Sequence, residues 1–353
     1  MNLLQAVLVG VGPFERLVLP FADDNGEVRR VTLIHGAGGV GKSSVLAAIA
    51  STRPGHCVVM PSRIEPREGA PAAYAACDWL LGQDDLARPH PLCVVSPNAR
   101  SSASDEAEGL RRREQTLFDR VAQDGGFAFL LISSARWFSR QPLSLSAPAR
   151  TVARYDVRAS TVSIGTEDAS RADLARETKQ ALAYAVIAAA LAEPSAAGER
   201  RFDLLGAAMQ RAVNVVLALV GMSFRGLDPL SLEPLFVGHG REVAFDALPN
   251  RVRHLVALMA LAVRTLWAAY PDRDPTESEG VIAVDEVDLH QDPQVLHNLL
   301  SALKEALPGV QWILSTSSAT LAASAEARAV LALRPLPEGL GVRVFAGDHA
   351  RTH

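Results

Sequence analysis

Only three cysteines occur in 353 residues, Cys57, Cys77 and Cys93, and they form neither a C-x-x-C pair nor an even framework. That excludes a disulfide scaffold and points to reduced thiols, as expected of a cytoplasmic protein. No Cys/His grouping has zinc-ligand spacing, and no Ser/His/Asp grouping suggests a hydrolase triad. The longest apolar run, Ala181 to Ala192, falls short of the roughly 20 residues a bilayer span needs, so no membrane role is expected. The N-terminus lacks a basic n-region and a cleavage pattern, and Leu3–Val11 reads as a strand, not a signal peptide. Charge of one sign is not in excess. A net charge of −4 excludes a nucleic-acid surface spread over the whole molecule but leaves a local basic face open. Fixed-period repeats and sustained heptads are absent, which excludes a solenoid and a coiled-coil arm. Lysine is scarce, three among 35 basic side chains, and one of the three lies in the most informative segment of the chain.

What is present begins with a core-forming composition, 48% apolar and 21% charged. The length suits two average domains or one large α/β domain with an insertion. The run Val31-Thr-Leu-Ile-His35 leads into Gly36-Ala37-Gly38-Gly39-Val40-Gly41-Lys42-Ser43-Ser44, which fits G-x-x-x-x-G-K-[ST] at every fixed position. The helix-forming run Val45–Ala50 follows at once. Strand, glycine loop and helix in this order are the context of a phosphate-binding loop. The glycines let backbone N–H groups curl around a β-phosphate, and the helix directs its positive end at the same anion. Lys42 supplies a compact charge to the β- and γ-phosphates, for which a planar guanidinium is too large. The Ser43 hydroxyl is suited to ligate Mg²⁺. These residues predict a nucleoside-triphosphate site cradled by residues 36–44.

Residues 1–60 read as strands at Leu3–Val11, Leu17–Phe21 and Val28–Ile34, then the loop, a helix, and a short strand at Cys57–Met60. Residues 61–205 read as an inserted, mixed region. It holds a charged helix (Asp105–Gln123), an apolar strand (Phe127–Ile132), a Ser/Pro/Arg-rich stretch (Ser139–Arg154) and an alanine-rich helix (Asp173–Ala192). Residues 206–353 read as helical to about Val220, strand-like at Arg241–Phe245 and helical over Arg251–Tyr270. They continue with strand Gly280–Val284, helix Gln294–Leu307 and strand Val310–Ser315, the alternation of a parallel α/β sheet. Arg111–Arg113 lies among acidic residues and reads as a solvated, salt-bridged face. The strand at 127–132 delivers Arg136 and Trp137 at its end; a site role stays open, with Trp137 better read as a packing aromatic.

A second half of the nucleotide site lies far downstream. Val281-Ile-Ala-Val-Asp285-Glu286 is a buried-strand run ending in two carboxylates. Set beside the phosphate loop, Asp285 would hold the Mg²⁺ shell and Glu286 would polarise the attacking water. Cys57–Met60, Leu92–Val95 and Phe127–Ile132 all end without a carboxylate. Lys42 and Asp285 are 243 residues apart, so material must be inserted between the two halves.

Three segments together resemble the ATP-binding-cassette heads of the SMC/RecF/OLD type, often labelled AAA-family ATPases. Val9–Phe21 looks like their opening hairpin, Gly36–Ser43 is the phosphate loop, and VIAVDEVDLHQDP (281–293) is similar to their acidic-strand segment, with Asp292 where a second His is common. They cover about a third of the chain, at its two ends. The resemblance implies a P-loop NTPase head of α/β class: a mostly parallel sheet flanked by helices, antiparallel N-terminal strands, and a mixed, partly helical insertion. It implies that Asp288–Asp292 crosses to a partner subunit's site, with His290 contacting nucleotide or, equally, capping the next helix. The sequence departs from the family in three places. Phe245–Leu255 stands where the signature LS-x-G-x-R would lie, with Pro249 in the Ser position and Arg251 in the Gly position; Arg251 or Arg253 would substitute electrostatically. Ser315–Ala319 stands where TTHSP is usual, with Ser317 in place of the switch histidine. Gly38 stands where these heads carry Asn.

The resemblance therefore predicts an ATPase dependent on Mg²⁺ that binds ATP well and hydrolyses it slowly, because serine cannot carry a proton near neutral pH. It would self-associate as a dimer or larger ring and act on a separate effector protein, since the chain shows neither an appended nuclease nor coiled-coil arms. The analogy points to DNA maintenance or anti-phage defence, and DNA contact is not shown by the sequence. A non-hydrolysing scaffold or sensor subunit is the alternative. A compact partition- or signalling-type NTPase is suggested by the loop alone and opposed by the remote acidic strand.

Overall fold

The computed structural model describes residues 1–23, 25–52, 73–80, 91–96, 113–114, 116–118, 127–140, 142–143, 173–193, 200–336 and 341–350. Strands β1 (Asn2–Val11), β2 (Phe14–Pro20) and β3 (Val31–His35) precede helix α1 (Lys42–Ser51), and β4 (Tyr74–Leu80), β5 (Leu92–Val95) and β6 (Phe129–Ile132) follow. Next come α2 (Ala175–Leu191), α3 (Arg200–Ala218), β7 (Met222–Leu227), β8 (Pro234–Gly238), β9 (Arg241–Ala244) and α4 (Asn250–Ala269). The chain continues through β10 (Gly280–Val284), α5 (Pro293–Ala306), β11 (Val310–Thr316), α6 (Ala319–Ser324), β12 (Val330–Pro335) and β13 (Val342–Ala346).

A six-stranded sheet in the order β13-β12-β3-β11-β10-β6 lies at the centre. Its five strands from β12 to β6 are parallel, and β13 closes one edge antiparallel to β12. Parallel strands covered on both faces must be apolar throughout, and β10 and β11 are buried at every position. One face packs on α2, α3, α4 and α5. The other packs on α1, which is clamped between this sheet and an antiparallel sheet β2-β1-β4-β5. A third sheet, β7-β8-β9, leads into α4. By length and composition α4 could cross a membrane, but it sits in the core, flanked by α2 and α3.

Side-chain alternation assigns the faces. In β10, Val281 and Ala283 belong to the α1 side, and Ile282 and Val284 to the four-helix side. By the same period of two, Asp285 continues the α1 side. In β11, Ile313 and hence Ser315 face α1, while Trp312 and Leu314 face the helices.

The α/β class, the mostly parallel sheet and the antiparallel N-terminal strands match the expectation from sequence. Cys57–Met60, nearly all of 105–123, and 144–154 lie outside the described residues. Strands β4, β7, β8, β12 and β13 were not anticipated. Tyr74–Leu80 alternates, but three of its seven residues are Ala or Asp, which favour strands poorly. Met222–Leu227 carries Arg225 and Gly226, the latter at a register shift where local pattern fails. From the region read as inserted, β4 pairs with β1 and β6 with β10, and β5 extends the first of these sheets by pairing with β4.

Candidate active site

The loop between β3 and α1 is a turn of special dihedrals. Gly39 and Gly41 have φ of 80° and 94°, values that side-chain-bearing residues rarely adopt. Gly36 is packed so closely that a Cβ there would lie 2.6 Å from the Leu333 carbonyl oxygen. Ala37, Gly38 and Gly39 are exposed at the mouth, while Gly36 and Val40 are buried beneath it. The buried Lys42 Nζ donates to the carbonyl oxygens of Gly36 and Ala37, both at 2.8 Å. Ser43 and Ser44 are half-buried in the first turn of α1. The β1–β2 hairpin closes on this turn, because a Cβ on Gly41 would sit 2.7 Å from the Phe14 ring, and one on Gly12 3.2 Å from the Ser44 hydroxyl oxygen.

One strand, β11, separates the loop strand β3 from β10, so the two chain-distant motifs end on the same sheet edge about 10 Å apart. Two residues of β11 bridge them. The Ser315 hydroxyl donates to Asp285 Oδ1 at 2.5 Å and accepts the Glu286 N–H at 2.8 Å. The Thr316 hydroxyl donates to Asp288 Oδ1 at 2.6 Å, and the Thr316 carbonyl accepts the Gly36 N–H at 3.2 Å. Asp285 is 1% exposed and Glu286 is half-buried. Glu286 has φ of 46°, a left-handed conformation that turns the chain out of the strand's alternation. His35, at the end of β3, is held below its usual imidazole pKa by burial and then by Arg334 and Lys42, against the pull of Asp288. Asp288 and the loop lysine therefore share one electrostatic neighbourhood.

The remaining expected residues divide. Ser317 directly follows Thr316 and is exposed, so the switch position stands beside the loop without an imidazole. His290 is exposed, with φ of 62° and its ring 5.1 Å from that of His254. It does not cap α5, whose N-cap residue is Asp292. Pro249 is the N-cap of α4, and Arg251, in its first turn, is ion-paired with Asp292. Arg253 bonds Asn250 Oδ1 at 2.6 Å and lies over the Phe138 ring. Both arginines thus have partners within the chain. Trp137 departs from the packing assignment: it is 47% exposed, and its main chain bridges to Asp173.

Three contributors, Ser315, Thr316 and His254, escaped sequence reading, and a fourth, Arg136, had its role left open. Ser315 and Thr316 lie inside a segment whose pattern drew attention to Ser317 instead. Arg136 is 9% exposed and donates to the carbonyls of Ser133, Asp285 and Glu286. His254 lines a cavity of about 10 Å³ with Arg136 and Gln291, and burial lowers its pKa to about 4. Its Nδ1 meets the Asn250 carbonyl at 2.8 Å, leaving Nε2 buried without a partner among the described residues.

The donor set fits a magnesium nucleotide. A hydroxyl (Ser43) and one buried carboxylate (Asp285) are hard oxygen groups that would hold Mg²⁺, with phosphates and water completing the shell. No group of three or more His, Cys, Asp or Glu among the described residues forms a metal cage.

No family model matches the sequence. A curated relative, a retron Vc95 probable ATPase from Vibrio cholerae serotype O1 biovar El Tor, is 30% identical over 88 residues. That match spans 25% of this chain and 17% of the relative. Among solved structures, an SMC head bound to the C-terminal winged-helix domain of ScpA aligns over 99% of both chains with TM-score 0.56 and 16% identity. An SMC head with an extended coiled coil, bound to the C-terminal domain of ScpA and derived from Pyrococcus furiosus, aligns over 98% of this chain and 96% of its own, with TM-score 0.52 and 18% identity. The SMC head of Thermotoga maritima aligns over 99% and 100%, with TM-score 0.50 and 15% identity. The fold of the chain is that of an SMC head, the ABC-type ATPase fold.

Proposed function

We propose that this chain, which has the fold of an SMC-type ATPase head, binds ATP with Mg²⁺, hydrolyses it slowly, and uses the bound and cleaved states to switch a separate effector protein. The observation that carries the reading is the strand register. It sets Gly36–Ser44 and Asp285–Glu286 on one sheet edge and ties them together through Ser315 and Thr316. Lys42 Nζ, now held by two loop carbonyls, is placed to exchange them for phosphate oxygens, and backbone N–H groups of residues 37–43 surround the same anion. Ser43 and Asp285 would hold Mg²⁺, which when bound would neutralise charge developing on the phosphates. Glu286 accepts a hydrogen bond from the attacking water and orients it. Ser317 reaches the phosphate edge as a neutral hydroxyl, which accounts for slow turnover.

The relative, a retron probable ATPase, supports hydrolysis, and the ScpA-bound heads support a protein partner. Self-association and a place in DNA maintenance or defence belong to the same proposal. Arg251 held by Asp292 favours a second reading, a non-hydrolysing ATP-binding scaffold, since it leaves the signature position without a free cation.

Single-turnover hydrolysis of the wild type beside Glu286→Gln separates the two. Glu286→Gln is expected to retain ATP affinity and lose hydrolysis by about 100-fold or more. Equal ATP loss in both proteins would leave only the scaffold. Native mass with and without ATP tests self-association.

A further inference from the structure

We propose that Arg136 is a positioning residue for hydrolysis, aiming the Glu286 carboxylate by gripping the main chain of the acidic turn. The inference rests on the role given above to Glu286. Arg136 lies beyond the end of β6, 149 residues from Asp285, and its guanidinium faces carbonyls instead of carboxylates. Nη1 donates to the carbonyl oxygens of Ser133 at 2.9 Å and Asp285 at 2.6 Å, and Nη2 donates to that of Glu286 at 2.7 Å. Two successive carbonyls are thus held by one planar fork, which a lysine ammonium cannot reproduce.

The turn needs this grip. Period-two alternation carries Asp285 to the α1 side and would send the next side chain to the opposite face. Glu286 escapes that alternation through its φ of 46°, a conformation that persists where the surroundings over-determine it. On one side Ser315 holds the Glu286 N–H. On the other, the Glu286 carbonyl accepts both from Arg136 and from the Leu289 N–H at 3.0 Å. Removing the guanidinium leaves only one local turn bond on that carbonyl and none of these charge-assisted contacts on that of Asp285. Burial lowers the Arg136 pKa to about 10, and the carboxylates at 285, 286 and 288 oppose that shift, so the group stays charged at neutral pH.

The test uses the full chain with Arg136→Met, Arg136→Lys and Arg136→Ala, assayed for ATP affinity and single-turnover hydrolysis. Arg136→Met is expected to keep affinity within about twofold and lose about 10- to 100-fold in rate, as removal of an outer-layer support does. Arg136→Lys is expected to fold and recover little of that rate. Guanidinium added to Arg136→Ala is expected to restore part of it, whereas added ammonium is not. A rate within twofold of wild type in folded Arg136→Met would overturn the proposal. Should that variant fail to fold, a full rate in Arg136→Lys would overturn it equally, and a depressed rate there would support it. Absence of turnover in the wild type, or full turnover in Glu286→Gln, would remove the carboxylate's role and the proposal with it, and would show in those controls.

Discussion

Ser315→Ala deletes one oxygen, and its effect follows from where that oxygen sits. The side chain is fully buried at the end of β11, between a carboxylate that is 1% exposed and a main-chain N–H in a left-handed turn. Its hydroxyl donates to Asp285 Oδ1 and accepts from the Glu286 N–H. Alanine makes neither bond, so a buried carboxylate oxygen and a part-buried amide both lose a partner, at about 1–3 kcal/mol each with the amide toward the lower end. A destabilisation of about 3 kcal/mol is expected once some relaxation is allowed. Equilibrium urea unfolding without nucleotide or Mg²⁺ measures it, with Ser317→Ala as the matched control. Ser317 is exposed and next to the same strand, and its substitution is expected to change stability by no more than about 0.5 kcal/mol. Hydrolysis should also fall in Ser315→Ala, because Glu286 loses the anchor on its N–H. A stability change below about 1 kcal/mol in Ser315→Ala, or equal changes in the two variants, would refute the claim that this hydroxyl anchors the acidic turn to β11.

Gly41→Ala combines a positive φ of 94° with a Cβ 2.7 Å from the Phe14 ring and 2.8 Å from Pro13. Left-handed strain of about 1–2 kcal/mol and overpacking of about 1–3 kcal/mol should lower the melting temperature and weaken ATP binding by calorimetry. Gly38→Ala, with nothing within 4 Å of the new Cβ, should keep the fold. His254 makes stability depend on pH. Its folded pKa of about 4 lies below the unfolded value of 6.5, because burial, Arg136, His290 and Arg253 oppose protonation more than the Asn250 carbonyl favours it. The unfolded chain therefore binds the proton first, and stability falls as pH drops from about 6.5 to about 4, by up to about 3 kcal/mol at 1.36 kcal/mol per unit. His254→Phe should flatten that window in melts between pH 7.5 and 4.5; an unchanged slope would contradict the burial argument.

How much was legible varies with the range of the chemistry. The phosphate loop could be read because its function depends on consecutive residues: glycines at fixed offsets, then Lys42 at the start of a helix. The acidic strand was legible for a similar reason, as an apolar run ending in Asp285 and Glu286. What escaped was the connecting tissue. Ser315 looked like an undistinguished member of a serine-rich turn until β11 paired between β3 and β10. Arg136 had a site role left open, and the structure directs it to carbonyls 149 and 150 residues away. Trp137 looked like a packing residue and faces outward, and Arg251 looked like a free cation and is paired with Asp292.

The amino-acid sequence by itself determined that a glycine loop of phosphate-binding pattern lies between a strand and a helix here, and which carboxylates could serve it. Dihedral freedom, helix polarity and strand hydrophobicity are properties of short stretches and travel with them wherever the chain folds. Tertiary structure alone decided that the two halves meet, which strand lies between them, and which buried donors hold the acidic turn. Those outcomes depend on strand order and on which polar groups find partners once water is excluded, and no window of neighbouring residues contains that information.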